Sequence, residues 1–239
     1  LKHKLDIVSK RALIDFGLFG GVSSQVMAND YRKNMNELAE FVMGFKTYFI
    51  SGMESFGALD PRQIQAVLTE AKKMERPVLL HAEDPGIVFE LTESEKEKGH
   101  DWINFYRSRP ESAEVVAISK AILLAKATKA KLHIVHVGTG DAALLLRKEK
   151  LVSGETAPHY LEFSKTDLEK IGGALKTVPV VKSDGNADVL WDCLMDGTLD
   201  FIASDHAPAP IEQKNTGSAW TDYSGIPRSG TIFPYLYSE

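Results

Sequence analysis

Six short apolar runs recur along this chain, separated by helix-forming stretches, and that alternation constrains the fold more than any other feature. The runs are ALIDFGLFG, GFKTYFIS, PVLLHAED, KLHIVHVGTG, VSGETAPHYL and DFIASDHAP. Between them lie DPRQIQAVLTEAKKME, AEVVAISKAILLAKAT and GDAALLLRKEK, which read as helices. The first of these opens on Asp60-Pro61, an N-cap residue followed by a proline where no N–H is needed. Alternation of this kind predicts a parallel α/β fold, because parallel strands are joined by crossover helices.

Where the polar residues fall separates a barrel from an open sheet. Four runs end in ligand-capable groups at their C-terminal ends, as HAED, HVGTG, PHYL and SDHAP. In a (β/α)8 barrel that end carries the active site, built from several strands at once. A dinucleotide-binding sheet would need a GxGxxG turn after an early strand, and the chain has none. We therefore expect a single TIM-type barrel domain over residues 1–239, incomplete at about six of eight strands. No strand candidate precedes the helical LKHKLDIVSKR, and the chain stops soon after its last run.

Composition excludes several function classes. A net charge of −5 leaves no basic field to attract nucleic acid. No apolar run is long enough to span a bilayer. Cys193 is the only cysteine, which rules out an internal disulfide and fits a cytoplasmic protein.

Several residues are candidates for chemistry. Lys46 sits among Phe45, Tyr48, Phe49 and Ile50. It is open to two readings: a stem lying along apolar surface with its ammonium in water, or an amine of lowered pKa that has reacted with carbon dioxide. The resulting carbamate would be an anion with two oxygens, able to bridge two metal ions. His81 closes PVLLH ahead of Glu83 and Asp84, where structural and ligand readings are evenly balanced. In HIVH, strand alternation puts His133 and His136 on opposite faces. Of the two, His136 is better placed for the active end, which leaves His133 to pack among helices or to brace a ligand. His159 is open between orienting donor and substrate contact. The adjacent Asp205 and His206 also face opposite ways, so that one reaches a metal centre while the other braces it. His3 and His100 read as surface residues. Lysine, two histidines and an aspartate at successive strand ends are hard to obtain by packing alone. Imidazole and carboxylate donors suit zinc, with manganese, iron and cobalt left open.

The segments DFGLFGG, GFKTYFISG, VLLHAEDP, SRPESAE, HIVHVGTG, ETAPHYL, NADVLWDCLMDG and SDHAP resemble, in order, those of the cyclic amidohydrolases: allantoinase, dihydroorotase and hydantoinase. The resemblance implies a (β/α)8 barrel, which in the family carries a small flanking β-sandwich built from the two chain ends and expected to be absent here, and hydrolytic opening of a cyclic amide. It further implies two divalent metal ions bridged by carboxylated Lys46, with His81 and His136 on the second metal. Asp205 would bind the first metal and serve as the catalytic acid-base. We expect a small cyclic ureide as substrate and a homo-oligomeric enzyme. The alternative is a catalytically silent scaffold or regulatory subunit on the same fold.

Two departures from the family pattern stand out. Its His-x-His pair has no counterpart here and is expected upstream of Leu1. The histidine that dihydroorotases commonly carry directly after DHAP is replaced by Ala209, and their Pro-Pro-Leu-Arg stretch appears as Pro179-Val180-Val181-Lys182. A missing donor would leave a substrate carboxylate poorly paired, which favours a neutral allantoin-type ureide. Arg228, in the loop where hydantoinases often place a substrate-binding asparagine, offers another route to an anion contact.

Overall fold

In the computed structural model, which describes residues 1–238, six parallel strands form one sheet in sequence order. They are β1 (Phe19–Gly21), β2 (Gly44–Tyr48), β3 (Val78–His81), β4 (Leu132–Ile134), β5 (Val152–Thr156) and β6 (Phe201–Ile202). Each crossover steps to the next position and the order never reverses, which is barrel winding rather than the doubly wound arrangement with its switch point. The architecture is that of an incomplete TIM barrel, with β1 and β6 as the sheet edges.

Alternation sorts the side chains. Phe45, Val78, Leu80, Leu132 and Ile134 face the helices and are almost fully buried in one apolar cluster. Their neighbours Lys46, Tyr48, Leu79, His133, Ser153 and Glu155 face the interior. The register aligns these inward positions in a layer, with Gly21 opposite Lys46, Lys46 opposite Leu79, Leu79 opposite His133 and His133 opposite Ser153.

The helix Pro61–Lys73 starts where the sequence says it should. The Asp60 carboxylate accepts from the Gln63 N–H at 2.7 Å, while the Gln63 side chain accepts from the Asp60 N–H at 2.9 Å. This capping box satisfies two donors at once. Ile64, Val67, Leu68 and Ala71 then form the buried face, packed against the helix Glu111–Thr128.

Two expected elements are shorter than the sequence suggested. Of ALIDFGLFG only Phe19 and Gly20 are strand, which runs on to Gly21, and Leu13 and Ile14 are exposed. The partner strand begins at Gly44, opposite Phe19. Beyond one bond from the Met43 N–H to the Leu18 carbonyl, the upstream residues have no ladder to join. In GDAALLLRKEK the helix covers only Gly140–Leu144. The chain then turns, with Lys148 at a φ of 69° that takes it off the helical path.

Candidate active site

The C-terminal ends of β2 to β6 bring several buried polar groups together, His81, Glu83, His136 and His159 among them. Lys46, Tyr48, His133, His136, Glu155 and Asp205 line a cavity of about 900 Å³. The Lys46 Nζ is buried without a hydrogen-bond partner and lies 4.3 Å from the centre of the Tyr48 ring. Burial lowers its pKa to about 7, against the opposing pull of Asp205 and Glu155.

His81, at the end of β3, is fixed by its neighbours. Its Nε2 lies 2.9 Å from a Glu83 oxygen, and Arg109 pairs with the same oxygen at 2.6 Å. Glu83 is fully buried. Burial alone would raise its pKa, but Arg109 and His81 outweigh it and hold the carboxyl well below the usual carboxylate range. An ionised Glu83 requires His81 to carry its proton on Nε2, leaving the Nδ1 lone pair free. That Nδ1 lies 3.0 Å from Nε2 of His136, whose own Nδ1 has no partner. Desolvation depresses the pKa of both imidazoles and keeps them neutral, the form that ligates metals.

Of the two places expected for His133, packing among the helices is not the one it takes. It lines the cavity together with His136, its Nδ1 2.8 Å from the Ser153 hydroxyl and its Nε2 3.2 Å from Glu155. Its ring stacks on Phe201. Alternation fails here because β4 ends at Ile134 and His136 takes a φ of 43°, which turns its side chain back inward.

Asp205 follows β6 with a φ of 46° and reaches the same cavity. Burial raises its pKa, with Lys46 and Arg228 opposing the rise and Glu155 adding to it. His206 points elsewhere. Its Nδ1 accepts from the backbone N–H groups of Arg228 at 2.9 Å and Ser229 at 3.1 Å, which leaves the proton on Nε2. His159, on the short helix Pro158–Glu162, is fully buried with neither ring nitrogen partnered. Ala209 sits half-buried between Pro208 and Pro210 and brings no polar group. Lys182 is spent internally: its Nζ pairs with Glu114 at 2.9 Å, and Glu114 accepts from the Gly138 N–H at 2.9 Å.

Among the described residues, no three His, Cys, Asp or Glu side chains gather closely enough to hold a metal ion by themselves. What does converge is the His81–His136 pair, with Lys46 and Asp205 in electrostatic reach of each other. Glu155, Arg109, Glu114 and Asn186 were missed by sequence reasoning, which noted Glu83 only as an acid beside His81. Only Glu155 left a signal, two residues along β5 from the inward Ser153. Asn186 holds the Gly138–Gly140 turn by accepting from the Gly140 N–H at 2.7 Å and donating to the Gly138 carbonyl at 2.9 Å.

Similarity to known proteins extends over nearly the whole chain. It is 34% identical over 232 residues to an allantoinase of Deinococcus radiodurans, covering 94% of this chain and 51% of that protein. An allantoinase of Rubrobacter xylanophilus is 33% identical over 243 residues, covering 99% and 52%. Among solved structures, the L-hydantoinase (dihydropyrimidinase) of Arthrobacter aurescens superposes with a TM-score of 0.91 at 28% identity, covering 98% of this chain and 53% of that one. The chain thus spans about half the length of the curated relatives it matches. No protein-family model matches it.

Proposed function

The chain matches the cyclic amidohydrolases, allantoinases and hydantoinases among them, over nearly its whole length, and we propose on that footing that the protein hydrolyses the C–N bond of a cyclic ureide. The observation that carries this reading is the approach of His81 Nδ1 and His136 Nε2 to 3.0 Å, beside the unpartnered amine of Lys46. Two imidazole nitrogens sharing one tetrahedral zinc at roughly 2.0–2.1 Å stand about 3.3 Å apart. The pair stands at hydrogen-bond distance, close to that spacing, and Glu83 orients the first ring as a carboxylate behind a metal-bound histidine does.

Lys46, His81, His136 and Asp205 would hold a pair of divalent ions, with zinc the best match to these donors. Lys46 would take part as a carbamate, formed when its neutral amine adds to carbon dioxide and releases a proton. When bound, the ions supply hydroxide near neutral pH and polarise the amide carbonyl. Asp205 accepts the proton of the attacking water and hands it to the leaving ring nitrogen, for which its place at the cavity wall suits it. Arg109 and Glu83 hold His81 in the tautomer that presents Nδ1. A silent scaffold is disfavoured, because a buried, unpaired lysine costs stability and brings a scaffold nothing.

A neutral, allantoin-type ring is preferred. Lys182 is engaged by Glu114 and Ala209 offers no donor, so neither is available to a ring carboxylate. We also place the protein in the cytoplasm, as a homo-oligomer built on one barrel domain. The lone buried thiol of Cys193 and the contiguous core support the compartment and the single domain. Among the described residues no helix is long and apolar enough to cross a membrane.

The test is an assay of metal-loaded full-length protein against allantoin, dihydroorotate and hydantoin, with Lys46→Ala and Asp205→Ala as controls. Ring opening that vanishes in both variants is expected. Activity on none of the three rings would sink the proposal.

A further inference from the structure

Arg228 is only 7% exposed, and its Nε has no hydrogen-bond partner. Among the described residues it forms no ion pair, and its guanidinium carbon lies 6.0 Å from the centre of the Phe163 ring. A buried guanidinium with no carboxylate in direct contact is expensive to keep. His206, the residue after the cavity-lining Asp205, accepts from the Arg228 N–H at 2.9 Å, which puts Arg228 beside the end of β6.

The backbone around Arg228 is pinned on both sides. Its own N–H is held by His206, and Ile226 bridges to His206 and accepts from the Ala207 N–H at 3.0 Å. Upstream, the buried Lys214 ammonium donates to the carbonyls of Tyr223 at 3.0 Å and Gly225 at 2.6 Å, and more weakly to that of Lys176. Lys176 in turn donates to the Asp222 carbonyl. Gly225 completes the clamp: its φ is 143°, and a Cβ there would stand 2.6 Å from the Ala207 carbonyl. A side chain presented by a backbone this constrained has lost its ordering entropy before a ligand arrives.

We propose that Arg228 binds a carboxylate of the ring-opening reaction and so determines specificity; this rests on the cyclic-amide reading above. A guanidinium meets a carboxylate through two parallel N–H···O bonds, a match in which the unpartnered Nε of Arg228 can take part. The carboxylate has two sources with the same chemistry. One is a substituent already on the ring. The other is made by the reaction itself: water's oxygen bonds to the amide carbon, the C–N bond breaks, and the nitrogen leaves with a proton. Every cyclic amide opened in this way ends in a new carboxylate, including a neutral ureide.

Calorimetric titration of the full-length protein reads binding rather than ring opening, so a protein that opened no ring would still give an answer. The probes are allantoate, a ring-opened carboxylate; dihydroorotate, a ring carboxylate; and dihydrouracil, its neutral counterpart. Loss of the charged contact in Arg228→Gln should weaken carboxylate binding about ten- to hundredfold and leave dihydrouracil unchanged. Arg228→Lys keeps the charge without the fork and should fall between. Weakening confined to allantoate identifies the released carboxylate as the occupant, and weakening of dihydroorotate identifies the ring substituent. Equal affinity for both carboxylates in the wild type and in whichever variant folds overturns the proposal.

Discussion

Removing the Arg109 charge while Glu83 stays in place is the most informative perturbation of the site's support. Glu83 is fully buried, and Arg109 pairs with it at 2.6 Å while itself only 14% exposed. At an effective dielectric near 20, charges at that separation attract by roughly 6 kcal/mol. Desolvating each ion costs several kcal/mol, so the intact pair is close to neutral in net stability. Arg109→Met deletes the attraction and leaves the desolvated carboxylate uncompensated, which should cost about 3–5 kcal/mol. For a domain of this size that lowers Tm by roughly 6–20 °C. Urea unfolding followed by circular dichroism reads the loss directly. The double variant Glu83→Gln/Arg109→Met removes both charges and should recover at least about half of it. A loss below about 1 kcal/mol for Arg109→Met, or a double variant no better than the single, would refute the reasoning.

Other expectations follow from the same contacts. Glu83→Gln loosens the orientation of His81 and should weaken metal binding about 10–100-fold in a competitive chelator titration. Asp60→Ala removes the cap of Pro61–Lys73 and should cost about 1 kcal/mol in chemical denaturation. Leu68→Ala empties a fully buried position on the same helix and should cost about 2–5 kcal/mol. Burial lowers the Lys176 pKa from 10.5 to about 8, with Asp222 opposing the shift. Between those values the unfolded chain holds a proton that the folded chain has released, so this group's contribution to stability rises with pH. The stability of wild type relative to Lys176→Met should therefore increase from about pH 8 to about pH 10.5, as read by denaturation at a series of pH values.

Much of this was legible in the sequence because barrel strands end abruptly. An apolar run that stops at His81, or at Asp205 ahead of two prolines, announces both the strand and the polar group at its mouth. Periodicity is reliable only while the strand lasts. It misplaced His133 because β4 ends at Ile134 and His136 adopts a left-handed φ, which the sequence HIVH does not reveal. The pair Glu83–Arg109 and the pair Glu114–Lys182 join residues 26 and 68 positions apart. No local pattern records such pairings; they exist only once the crossover helices are docked. The clamp on Arg228 is hidden for a similar reason. Lys214 reads as an ordinary surface lysine in IEQKNTG, and only the folded loop turns three carbonyls toward its ammonium.

The most direct measurement is a crystal structure of the metal-loaded full-length protein with anomalous scattering at the metal's absorption edge. A peak is expected about 2.0–2.1 Å from both His81 Nδ1 and His136 Nε2, with the Lys46 side chain extended by a carboxyl group toward the metal. Metal bound away from both histidines, or Lys46 ending in a bare amine beside bound metal, would contradict that expectation.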